Sequence, residues 1–207
     1  MSLKKNLLFQ TLPSADQVDG IWPYTAGNGG ESTMILLRTG KKVALTNCAI
    51  FTVADIYAAR EDKIFRLIGR HYARSVGRSH GSIYPLSPDM TLVGMKYRTP
   101  VCSTHQTTMA YINVAHPAYI IDHPHCSRFG AVAFPSGTCM PLLWGKETIG
   151  RKLHEGRDAH HLLLAREYWR IRQAEEELID PDHWKGRGPE PPQHTGQPAD
   201  EQSASSA

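Results

Sequence analysis

No stretch of this 207-residue chain approaches the roughly 20 apolar residues that a membrane-spanning helix needs. No apolar run follows Lys4 and Lys5 for long enough to make a signal peptide. Cysteine is sparse: Cys48, Cys102, Cys126 and Cys139 are the whole set, and none pairs with another at C-x-x-C spacing. That argues against a disulfide framework and favours a cytosolic protein with reduced thiols. A lysine-bearing phosphate loop and a dinucleotide fingerprint are both missing, so nucleotide-dependent chemistry has no sequence support. Ser75-Val76-Gly77 is not a nucleophile elbow, and no helix-turn-helix or zinc-finger pattern is present.

What is present is an ordinary apolar content, 41%, enough to build a core, and an uneven charge. The net charge is only +3. Residues 181–207 hold two basic and four acidic side chains, which leaves 21 basic against 16 acidic, or +5, in the remainder. Much of that excess lies in one row: Arg60, Lys63, Arg66, Arg70, Arg74 and Arg78 recur at spacings of three and four. On a helix such spacing keeps side chains on one face, where like charges repel. A phosphate backbone converts that repulsion into attraction through counterion release. Arginine also suits the narrow, strongly negative minor groove of A·T-rich DNA. The bland alternative is a solvated helix face with carboxylate partners elsewhere in the fold. Arg60 and Lys63 lie beside Glu61 and Asp62, which marks them as surface rather than contact residues.

The chain predicts three regions. Residues 1–30, punctuated by Pro13, Pro23 and a glycine cluster, read as a loosely structured arm that contributes a short strand or an anchor through Ile21, Trp22 and Tyr24. Residues 31–180 read as one α+β domain of antiparallel hairpins packed with a central basic helix and a C-terminal helix. Strands are expected over 33–38, 43–50, 82–86, 91–97, 107–114, 130–134 and 138–143. Pro135-Ser136-Gly137 turns the last pair. Residues 54–76 carry helical periodicity that Gly69 interrupts, giving one kinked helix or two short ones. Residues 146–180 are helical, with a break expected near Gly156. The part from Leu162 to Leu178 is a dimer or core element. Residues 181–207, rich in Pro, Gln, Ser and Ala, are expected to be disordered.

Taken in order, several blocks resemble the ComK-like competence transcription factor family. Ile68-Gly69-Arg70-His71-Tyr72-Ala73-Arg74-Ser75-Val76-Gly77 is similar to that family's G-x-x-Y-x-x-R-x-x-G segment, one residue shorter. Lys96-Tyr97-Arg98-Thr99 stands at an aromatic-Pro-Thr strand end, with Arg98 in place of proline. Thr108-Met109-Ala110-Tyr111-Ile112 stands at a Trp-Ile strand, with Met109 in place of tryptophan. Phe134-Pro135-Ser136-Gly137-Thr138-Cys139-Met140-Pro141-Leu142 resembles an F-x-N-G hairpin, with Ser136 in place of asparagine. Thr148-Ile149 opens the last helix as a Ser-Phe pair does there. The resemblance covers residues 33–164.

It implies a DNA-binding activator that recognises paired A·T-rich boxes through the minor groove as a homodimer or larger oligomer. It also implies RNA polymerase and a Clp-protease adaptor as partners, and a cytoplasmic, nucleoid-associated location. No cofactor and no metal are expected. The expected contacts are Arg66, Arg70, Arg74 and Arg78, with Lys96, Arg98, Arg151, Lys152 and Arg157 as a second rank. Two alternatives stand beside this reading. One is a small protein-interaction module of phage or mobile-element origin. The other is a zinc-dependent enzyme using His116, His123, His125 or Cys126 with Cys102, His105 and Cys139.

Overall fold

A computed structural model describes residues 3–25, 31–77, 79, 81–97 and 108–179. In chain order the elements are helix α1 (Leu3–Thr11), a 3₁₀ turn at Ala15–Gln17, and strands β1 (Val18–Thr25), β2 (Glu31–Leu37) and β3 (Lys42–Leu45). Helices α2 (Ile50–Arg60) and α3 (Phe65–Ser75) follow. Strands β4 (Ile83–Ser87), β5 (Met90–Tyr97), β6 (Thr108–Asn113), β7 (Tyr119–Asp122), β8 (Gly130–Ala133) and β9 (Cys139–Pro141) precede helix α4 (Lys146–Ile179). The expected α+β class holds. Two compact units divide the chain, Met1–Arg166 and Glu167–Ala207.

The main sheet has six strands in the order β3-β2-β1-β6-β5-β4, and every neighbouring pair is antiparallel. Apolar residues stand on both of its faces, because successive strand side chains point to opposite sides. On one side Ile21, Ile35, Leu92 and Tyr111 meet Val53, Ile56 and Tyr57 of α2 and Phe65 of α3. On the other, Leu36, Val93, Ala110 and Ile112 meet Val132, Met140, Ile149, Leu153 and Ala159. That second layer is the small sheet β7-β8-β9 together with the first turns of α4.

Four expectations are corrected. The segment read as a loose arm carries the expected strand around Ile21, Trp22 and Tyr24, but it also supplies α1, and that strand, β1, is an interior member of the main sheet paired on both sides. Ile50 begins α2 rather than ending a strand. The basic helical segment is two helices, but the break falls at 61–64, where Asp62 adopts φ 52° and Ile64 is extended. Aspartate is one of the few side chains that tolerate the left-handed region. Gly69 instead lies inside α3, where a Cβ would come within 2.5 Å of the Tyr84 ring. Likewise α4 runs through Gly156 without a break, because a Cβ there would come within 2.3 Å of Val93 Cγ2. Both glycines mark close helix–sheet approach. Residues 181–207, read as a disordered tail, lie outside the described residues.

Candidate nucleic-acid interface

Helix α3 is fixed from its buried side. Phe65 stacks on Tyr84 at 3.9 Å between centroids and meets Tyr111 edge-on at 5.5 Å. Gly69 and Ala73 are buried, and Tyr72 donates its hydroxyl to the Glu155 carbonyl at 3.2 Å. The remaining arc therefore faces solvent. Arg66, Arg70 and Arg74, four residues apart, are all exposed on it, and none makes a side-chain hydrogen bond or ion pair among the described residues. Successive arginines rise by about 6 Å, so the row is about 12 Å long. Over that axial length one strand of a duplex presents three to four phosphates. Ile64 and Leu67, 62% and 43% exposed, stand beside the row.

The two earlier cations of the expected stripe have other employment. Arg60 reaches back to the end of α1, donating to Phe9 O at 2.5 Å, Leu12 O at 2.9 Å and Pro13 O at 2.8 Å. Its guanidinium also lies over the rings of Phe9 and Tyr57. Lys63 donates to the Leu86 carbonyl. The turn at 61–64 takes both off the α3 face. They are structural rather than idle surface groups.

The second-rank residues separate in the same way. Lys96 on β5 and Arg151 on α4 are exposed, with no side-chain partner among the described residues. Lys152 donates to Ser82 Oγ at 2.9 Å and lies 3.7 Å from Glu155. Arg157 donates to the Ala118 carbonyl at 2.8 Å. Those two hold α4 against its neighbours and have little freedom to reach a ligand. Arg78 and Arg98 lie outside the described residues.

No protein-family model matches the chain, and neither a curated protein nor a solved structure does. The interface therefore stands on its own geometry.

The metal-site residues do not converge. His123 accepts from the His125 backbone N–H at 3.1 Å, with their rings 6.2 Å apart, and Cys126 is half-buried. Among the described residues no group of three His, Cys, Asp or Glu side chains could hold an ion. Cys102 and His105 lie outside the described residues.

A buried polar cluster escaped the sequence reading. His116 Nδ1 lies 3.0 Å from Asp19 Oδ1, and His160 Nδ1 lies 3.1 Å from Thr91 Oγ1. Asn113 ties the ends of β1, β5 and β6 together: its Nδ2 donates to Val18 O and Asp89 O, and its Oδ1 accepts from the Thr91 and Ala115 amides. Burial raises the Asp19 pKa, and the His116 hydrogen bond and charge oppose that shift. Burial lowers the His160 pKa, helped by the charges of His161 and His116. Thr91 is fully enclosed, so this cluster stabilises the fold and offers no open catalytic hydroxyl.

Proposed function

We propose that this protein binds double-stranded DNA through the outward face of α3 and acts as a transcriptional regulator of the ComK-like kind. The observation that carries the reading is the row of Arg66, Arg70 and Arg74, exposed and without carboxylate partners among the described residues. Three like charges on one helix face oppose folding slightly, so their retention without counter-charges favours a polyanionic partner. Leu67 and Ile64 beside them supply apolar side chains of the type that wedge between base steps in the minor groove. Arg151 and Lys96 are secondary contacts. A·T-rich duplex is the preferred target, since its narrow minor groove concentrates negative potential around inserted arginines.

Binding to A·T-rich and G·C duplexes, titrated with salt, tests this. Three phosphate contacts predict a log–log salt slope of about −3 from this row alone, with tighter binding to the A·T duplex. Absence of binding at low salt, or affinity indifferent to salt, contradicts the reading. The rival reading, a protein-interaction module, draws on the exposed apolar side chains of β7, Tyr119, Ile120 and Ile121. It predicts no duplex binding at any salt concentration.

A further inference from the structure

Among the described side chains of α4, Ala159 and His160 are the last that are buried, yet the helix continues to Ile179. Beyond them Leu162, Leu164, Tyr168, Trp169 and Ile171 are 38–65% exposed. An unsupported helix of this length is marginal in water, and of these side chains Leu164, Tyr168 and Ile171, four and three residues apart, share one face, while Leu162 and Trp169 lie on another. The first turns of α4 bury Ile149 and Leu153 in the core, whereas the large apolar side chains described from Leu162 to Ile171 are exposed, Leu163 apart.

We infer that residues 161–176 of α4 form a parallel two-stranded coiled coil with the same segment of a second copy of this chain. Leu164, Tyr168, Ile171 and Glu175 follow one another at spacings of 4, 3 and 4 in the sequence, the seam spacing of such a pair. Glu167 immediately precedes Tyr168 on one flank of the seam, and Arg172 immediately follows Ile171 on the other.

Charge selects the partner and its direction. In a parallel pair, the flank residue before one seam position faces the opposite flank of the partner five residues later. Glu167 of each copy thereby meets Arg172 of the other, twice per dimer. In an antiparallel pair each flank meets its own copy, and Glu167 never faces Arg172. Both groups are reachable: Glu167 is about one-third exposed and Arg172 about half. Among the described residues they make solvent-facing ion pairs within the helix, to Arg170 at 3.2 Å and Glu176 at 3.8 Å.

Glu175 is the one seam residue that opposes association, because a parallel pair apposes it to its own copy. It supplies a test that strengthens the contact rather than breaking it. The inference does not depend on DNA binding, and all readings are taken on the full chain without nucleic acid.

Sedimentation equilibrium should show a monomer–dimer equilibrium. Ile171→Glu should weaken it at least tenfold, and Glu175→Leu should tighten it at least tenfold. Glu167→Arg and Arg172→Glu should each weaken it, and the double swap should restore it. Ile171 is exposed in the single chain, so I171E should leave the thermal midpoint of the dilute monomer unchanged. A wild-type chain that stays monomeric at about 100 µM, and whose E175L variant stays monomeric too, overturns the inference. So does a dimer indifferent to both I171E and E175L, or one weakened by I171E but untouched by E175L and the charge swaps.

Discussion

Arg60 and Arg70 have the same charge and opposite roles, and the difference lies in what surrounds each. Arg60 satisfies three carbonyls at the end of α1, groups that a helix C-terminus leaves without internal partners. Arg60→Ala should therefore cost about 2 kcal/mol of stability, measured by denaturant unfolding, and leave DNA affinity unchanged. His160 provides a pH prediction. Its folded pKa is lowered below the ordinary value of 6.5, so between those two values the unfolded chain binds more protons than the folded one. Stability from this group is full above 6.5 and declines as pH falls through that interval. His160→Asn keeps a hydrogen-bonding group toward Thr91 and removes the titration. The wild-type thermal midpoint should fall more steeply than the variant's between pH 7 and pH 5. Parallel curves would show that His160 does not titrate in that range.

At the scale of elements, Gly69 and Gly156 make the packing account testable, because intrinsic propensity and contact geometry predict opposite signs. Alanine favours a helix interior by about 1 kcal/mol. Here a Cβ meets the Tyr84 ring at one site and Val93 Cγ2 at the other. Gly156→Ala and Gly69→Ala should each destabilise by about 1–3 kcal/mol, read by thermal or denaturant unfolding. Stabilisation by either would refute the close approach.

The strands β2, β4, β5 and β6 were legible because period-two apolar runs end in turn residues, and the β8–β9 hairpin because Pro135-Ser136-Gly137 announces its turn. β1 was legible only as a short strand or anchor around Ile21, Trp22 and Tyr24, because Pro23 and the glycines that follow it interrupt the pattern. β7 was hidden by its length of four residues directly beyond the His116-Pro117 turn. The split between α2 and α3 turns on one aspartate at positive φ, which leaves no mark on apolar periodicity. Of the candidate interface, the spacing of Arg66, Arg70 and Arg74 was readable. The diversion of Arg60 and Lys63 was not, since their partners are backbone carbonyls contributed by α1, the turn after it and β4. The Asp19–His116 pair joins residues 97 positions apart and had no local signal.

Across the whole molecule, the two-faced sheet serves as a rigid support. One face holds α2 and α3, and the other holds the small sheet and the first turns of α4. α3 is anchored through Phe65 on the first face and through Tyr72, which packs toward the second cluster and bonds to α4. Among the described residues no helix is long and apolar enough to cross a membrane. The arginine row is thus presented on a helix that is fixed before any ligand arrives, which lowers the ordering cost of binding. The central claim is that this row meets phosphate, and the double variant Arg70→Ala/Arg74→Ala tests it most directly. Its thermal midpoint should match the wild type, because neither side chain holds a partner within the described fold. Its affinity for A·T-rich duplex should fall, and its salt slope should flatten by about 2. Unfolding of the variant, or an unchanged salt slope in a folded variant, would contradict the account.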